Sequence, residues 1–337
     1  MTKQRGGPDG AAPFVSGGVR MLIERWRSRI VNCRVACLVC FLLFSALAVL
    51  AARADERPGA GAASALMARC EAVLYAEKRR LGLVNEALDP ERTGLIGVEF
   101  SPLTTSLGRL SDKRASSRPA MADVVAAYLR RAGVKKGDWI AVNASGSFPG
   151  FSLATLCAAE SLGVNTQVVF SYGSSMYGGT DPGFTFPVIL DLLNSAGLLS
   201  ARLRAIAPGG ASDRMAETLL ESPFPTVTDL MRARPEERIE GTTLEDAIAR
   251  RLRIFAETPS PVACFVSCGG PGVSLGRTES VLKLPHGLVA TARDIPEGAD
   301  RGLLFEFLAR GVSVVHLLNV RGVCGDFGLP YEEIPDP

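Results

Sequence analysis

Residues 139–151 read Trp139-Ile140-Ala141-Val142-Asn143-Ala144-Ser145-Gly146-Ser147-Phe148-Pro149-Gly150-Phe151. The first six form an apolar run with β-branched members, long enough for a buried strand, and Phe151 to Ala159 carries helix formers at apolar spacing. Between them Ser145 to Gly150 is built of small or rigid residues. Strand, tight loop and helix in that order aim backbone N–H groups, hydroxyls and the positive end of a helix at one spot, which suits an anion. The stretch predicts one unit of an α/β fold, with Ser145, Gly146 and Gly150 as candidate ligand contacts.

The same alternation continues on both sides. Before the central unit, the pattern predicts a helix over 64–83, a strand over Leu95 to Phe100, a polar loop, and a helix over Pro119 to Ala132. After it come strand Gln167 to Tyr172, helix Phe186 to Ser195, strand Leu203 to Ala207 and helix Arg214 to Glu221. Helix Leu244 to Ala256, strand Val262 to Ser267, helix Arg301 to Ala309 and strand Val312 to Leu318 complete the series. Nearly continuous apolar strands alternating with helices imply a mostly parallel sheet covered by helices on both faces. Ligands of such sheets collect outside the carboxyl ends of the strands. Those ends carry Ser145 to Gly150, Tyr172 to Gly183, Pro208 to Asp213 and Ser267 to Gly276, and so add Asp181, Gly209, Gly210, Gly269 and Gly270 to the candidate rim. The plain alternative is that each glycine only ends a strand or caps a helix. No loop has the phosphate-loop or dinucleotide pattern, so no cofactor is implied.

With 337 residues and 47% hydrophobic content, the chain can bury one large core or two modest ones. A net charge of +2 gives no electrostatic ground for a nucleic-acid partner. The charge is unevenly placed, however. Residues 1–34 hold Lys3, Arg5, Arg20, Arg25, Arg27, Arg29 and Arg34 against Asp9 and Glu24, and read as a basic tail. Residues 35–52 carry no charge and reach the minimum length of a membrane-crossing helix. The basic excess before that segment places the N-terminus in the cytoplasm. The expected organisation is a tail over 1–34, a transmembrane helix over 35–52, a linker over 53–63 and an extracytoplasmic α/β domain over 64–337. This makes the chain a single-pass protein of the inner membrane. Ala52-Arg53-Ala54 also has the form of a cleavage site, so a removed export signal is one alternative; a buried soluble helix is another.

Eight cysteines do not make a disulfide framework. Cys33, Cys37 and Cys40 belong to the membrane segment or its edge, which leaves an odd set of five without metal-ligand spacing. Cys264 and Cys268 on one strand would stand about 13 Å apart, beyond disulfide reach, and read as small core residues.

Ser147 occupies the position of a nucleophile elbow without the G-x-S-x-G form, and Ser145 or Ser147 capping the following helix is the simpler role. The chain has two histidines, so a serine hydrolase with a histidine base must use His286 or His316. His316 lies near a strand's carboxyl end and is the candidate base, or else a core histidine; His286 follows Pro285 in a surface loop. Glu99 lies inside an expected strand, where an unpaired carboxylate is costly, so it either pairs with Lys113 or Arg114 or faces a ligand as acid or base. Lys113 and Arg114 would supply cations to an anionic ligand, while Asp181 before Pro182 doubles as a turn residue. Neither histidine belongs to a ligand-spaced cluster, so no metal is expected.

Several blocks resemble the poly-γ-glutamate system protein family. They are Thr93-Gly94-Leu95-Ile96-Gly97-Val98-Glu99-Phe100-Ser101-Pro102-Leu103-Thr104-Thr105 with Leu107-Gly108, then Lys113-Arg114 and Ser116, then Ser145 to Pro149. Gly173 to Gly179 with Asp181-Pro182 follows, and then His316-Leu317-Leu318-Asn319 with Gly328-Leu329-Pro330-Tyr331. The resemblance spans roughly residues 66–335. It implies a membrane-anchored protein that accompanies the machinery making and exporting poly-γ-glutamate. The basic tail and Arg232-Ala233-Arg234-Pro235 are not features of that pattern. The function expected is that of an accessory protein binding the anionic polymer or its synthase and export subunits, since histidine is scarce and the elbow imperfect; the alternative is a serine-type hydrolase or transferase acting on γ-glutamyl amide bonds. In the second, Ser147 attacks, with His316 or Glu99 as base.

Overall fold

The computed structural model describes residues 61–215, 224–296 and 301–332. Its strands are β1 (Thr104–Ser106), β2 (Trp139–Ser145), β3 (Asn165–Ser171), β4 (Ser174–Ser175), β5 (Leu203–Ala207), β6 (Glu237–Arg238), β7 (Val262–Cys268), β8 (Gly287–Val289) and β9 (Ser313–Leu317). Seven of them make one sheet in the order β6-β5-β3-β2-β7-β9-β8, parallel everywhere except at β8, which runs antiparallel to β9. The remaining two, β1 and β4, pair with each other. The helices are α1 (Ala62–Arg80), α2 (Leu110–Ser116), α3 (Ala120–Arg131), α4 (Pro149–Leu162), α5 (Phe186–Ser195), α6 (Phe224–Arg232), α7 (Leu244–Ala256), α8 (Gly272–Leu275), α9 (Leu303–Ala309) and α10 (Val320–Asp326).

Strand alternation decides which helices cover which face. Ile140, Val142 and Ala144 of β2 point with Phe170, Val266 and Val315 into a core completed by α1, α3, α4 and α5. Ala141, Val169, Phe265 and Val314 point the other way, against α7 and α9. The central helix is buried on all sides over Pro149 to Ala159, as an apolar helix between other helices and a sheet must be. It ends at Gly163, whose φ of 64° takes the left-handed cap position. The α/β architecture, mostly parallel with helices on both faces, is therefore that expected from the sequence.

From β2 the chain runs outward through β3, β5 and β6, then returns to the opposite side of β2 for β7 and β9. The order reverses between β2 and β7, so the crevice of the fold lies at Ser145 and Cys268.

Three expectations need correction. Leu95 to Phe100 is no strand but an extended loop: Leu95 and Ile96 are both buried while Val98 and Phe100 are exposed, which breaks the two-residue alternation. The polar loop after it contains α2, a seven-residue helix too charged to show an apolar face in sequence. Arg214 and Met215 are not helical, and Met215 has a φ of 54°; the rest of the helix expected there lies outside the described residues.

All described residues belong to one unit, residues 56–337. The tail 1–34 and the membrane segment 35–52 lie outside the described residues. Among those described, no helix is long and apolar enough to cross a membrane.

Candidate active site

The four Gly/Ser loops do meet at the carboxyl edge, but they fill one another. Ser145 Oγ donates to the Cys268 carbonyl oxygen at 2.9 Å across the crevice, and Gly146 N–H donates to Ser171 O at 2.9 Å. Gly173 N–H donates to Pro208 O at 2.8 Å, and Gly272 N–H to Gly210 O at 3.3 Å. A Cβ on Gly173 would stand 2.5 Å from Gly210 N, and one on Gly272 would overlap the Ala211 carbonyl. Gly209, Gly210, Gly269 and Gly270 are thus packing points between loops, which corrects their expected role as an open anion cradle. Gly150 serves likewise, since a Cβ there would stand 2.5 Å from the Ser116 carbonyl oxygen. Neither Ser145 nor Ser147 caps α4; the N-cap is Phe148, without a side-chain bond, and Pro149 fills the first helical position.

Below the loops sits Arg251 of α7, with no exposed side-chain surface. Its Nη1 and Nη2 grip Asp213 at 2.6 and 2.9 Å, Nη2 also donates to Ser171 Oγ at 3.0 Å, and Nε donates to Asn143 Oδ1 at 3.3 Å. With Ala247 O as a further acceptor, all five guanidinium donors are used. This cation ties α7 to β2, β3 and the loop after β5, and has nothing left for a ligand. Sequence reading missed it, because one arginine on a helix rich in arginine gives no sign of being the buried one.

The reactive-looking centre lies beside Ser147. Lys113 projects from α2 and is 2% exposed. Its ammonium nitrogen donates to the Ser147 carbonyl oxygen and, at 2.7 Å, meets Ser175 Oγ; it also stands 3.6 Å from the centroid of the Phe148 ring. The Ser175 N–H in turn donates to Ser147 Oγ at 3.0 Å. Burial pushes Lys113 down to about 7, against the upward pull of Asp112. An amine near half-protonation, in contact with a hydroxyl, can take the hydroxyl proton; this is the chemistry of a serine activated by lysine. Ser175 was not singled out from the sequence, since nothing in Gly173-Ser174-Ser175-Met176 marks one hydroxyl over the other. The sequence separation of 62 from Lys113 is closed only by the fold.

The other candidates go elsewhere. Arg114 donates to the carbonyls of Leu88 at 2.8 Å and Ala87 at 2.6 Å. Asp181 is no mere turn residue: it forms a buried ion pair with Lys78 at 2.9 Å, and Lys78 also donates to Ile96 O. Glu99 sits half-buried on a loop, paired with neither Lys113 nor Arg114. His316 is on β9, separated from β2 by β7, about 10 Å sideways, so it is no base for Ser147. Its ring nitrogens are buried, and burial lowers its pKa to about 4 against the upward pull of the Pro285 backbone carbonyl. His286 meets Asp326 at 3.3 Å near the surface. No cluster of His, Cys, Asp and Glu among the described residues could hold a metal ion.

Most of the sequence blocks quoted above converge here, the His316–Asn319 stretch excepted. Gly97 N–H donates to Tyr177 O at 3.0 Å, Ser174 N–H to Leu103 O at 2.9 Å, and Gly179 N–H to Gly146 O at 2.6 Å. Tyr331 closes on Asp112 of α2 at 2.8 Å. No family model matches the chain, and no curated protein does.

Proposed function

We propose that the chain is a serine-type hydrolase or transferase of amide bonds in which Ser175 attacks and Lys113 is the base. The observation that carries this reading is the 2.7 Å contact between Ser175 Oγ and an amine held near neutrality by burial. Neutral Lys113 takes the Ser175 proton as Oγ bonds to the acyl carbon. The ammonium then protonates the leaving amine as the C–N bond breaks, which leaves an acyl-serine ester and a neutral lysine. Water, or the amine of an acceptor, attacks the ester, gives its proton to Lys113 and restores the Ser175 hydroxyl. Ser147 positions Ser175 through the bond to its backbone N–H.

The resemblance to poly-γ-glutamate system proteins supplies the substrate class, γ-glutamyl amides, and a setting at the inner membrane. In that setting residues 35–52 are the anchor, the N-terminus is cytoplasmic and the α/β body extracytoplasmic, beside synthase or export subunits. A second reading has a specific observation behind it: Ser175 is 6% exposed, which also suits a non-catalytic accessory that holds the polymer or its synthase.

The test incubates the full chain with poly-γ-glutamate and follows polymer length. Shortening by wild type that disappears in Ser175→Ala and Lys113→Met, while Glu99→Gln and His316→Gln retain it, supports the enzyme. Binding without shortening supports the accessory. Shortening that survives Ser175→Ala would sink the assignment of the nucleophile.

A further inference from the structure

Away from the Lys113 centre, two thiols meet inside the molecule. Cys70 of α1 and Cys157 of α4 are both fully buried, and their sulfurs lie 3.9 Å apart. The two thiols share a hydrogen bond, and this contact holds Cys70 below the ordinary thiol range while it pushes Cys157 above it. A disulfide places its sulfurs about 2.05 Å apart, so closure needs an approach of about 1.9 Å, within reach of side-chain rotation and a small slide of packed helices. Cys264 and Cys268 instead sit beside the Phe265 and Phe151 carbonyls. Counting cysteines could not show this pair, because its members are 87 residues apart.

We propose that Cys70 and Cys157 are an oxidisable pair whose disulfide staples α1 to α4. The oxidant is a disulfide-bearing thiol compound, small molecule or protein. Deprotonated Cys70 attacks one of its sulfurs and expels a thiolate; Cys157 then loses its proton, attacks the Cys70 sulfur of the mixed disulfide and expels the second thiolate. Two electrons and two protons leave the protein, and the oxidant becomes two thiols. Because both sulfurs are buried, exchange requires α1 to lift, so the rate follows the opening of that helix. The bond would link the helix carrying Lys78, which holds the 95–98 loop and Asp181, to the helix that starts beside Ser147. The inference is independent of the acyl-transfer reading.

The test exposes the full chain to oxidised glutathione, alkylates the remaining thiols after unfolding, and maps cross-linked peptides by mass spectrometry. The expected product joins the Cys70 and Cys157 peptides, is reversed by dithiothreitol, and raises the thermal midpoint by about 5 °C. Cys70→Ser and, independently, Cys157→Ser abolish both the cross-link and the shift. Recovery of both cysteines as alkylated thiols, even after oxidation in urea just below the unfolding transition, overturns the proposal. So does a map in which either cysteine pairs mainly elsewhere. Peptide mapping of the wild type needs neither variant to fold.

Discussion

Lys113 Nζ lies 2.7 Å from Ser175 Oγ, and among the described residues no carboxylate comes within ion-pairing distance of that amine. As the proposed base Lys113 must be neutral to act, and with a pKa of about 7 it loses its proton as pH rises through neutrality. Polymer-shortening activity is therefore expected to climb between about pH 6 and 8 and then level off. Lys113→Arg, charged at every accessible pH, is expected to lose about 100-fold or more. A rate that falls over the same range would show that the protonated amine is the working form.

Gly108 rests directly over Ser175, the proposed nucleophile. A Cβ there would stand 3.0 Å from Ser175 Cβ, Ser175 Oγ and the Met176 carbonyl. Gly108→Ala is expected to leave the fold intact and to reduce turnover by roughly 10- to 100-fold through displacement of the hydroxyl. The check is a comparison of kcat with the urea midpoint, where an equal fall in both would mean simple unfolding.

Removing Arg251 leaves Asp213 buried without its partner, and Asp213 already holds a φ of 60°. Arg251→Met is expected to cost about 3–5 kcal/mol by urea denaturation. Adding Asp213→Asn, which removes the stranded charge at a position that tolerates a left-handed backbone, should recover part of that loss. If the double variant is no more stable than the single one, the ion pair is not what holds these loops.

Glu71 of α1 is buried with Oε1 unpartnered, and burial, with Asp89, Cys70 and Glu91 nearby, raises its pKa from 4.5 to about 9. The folded state thus holds a proton that the unfolded chain releases above pH 4.5. Its stabilising contribution is complete below that pH and is lost as pH rises toward 9. Glu71→Gln should remove this slope, so the variant is expected to gain on wild type by on the order of 1 kcal/mol per pH unit within the window. Taking the difference cancels Lys113, whose lowered pKa acts with the opposite sign above about pH 7.

Much of the scaffold was legible because parallel strands buried on both faces are written as apolar runs. β2, β5 and β7 could be placed from composition alone, and α5 and α7 from periodicity. α2, carrying Lys113, was hidden by its charge. The sequence singles out Lys113 and Ser147 as anion ligand and nucleophile; in the structure Lys113 is a buried amine and the Ser147 hydroxyl accepts from the Ser175 N–H. His316 was chosen by elimination among two histidines, and sheet order, which no local pattern encodes, put β7 in its way. The Lys78–Asp181 and Arg251–Asp213 pairs were invisible for the same reason: each joins residues that only tertiary structure brings together.

The sheet closes on very short margins, two residues in β6 at one side and three in β8 at the other. So few unpaired backbone groups give an incoming strand from another molecule little to latch onto. Copies crowded side by side should therefore stay individually folded instead of merging into continuous ribbons.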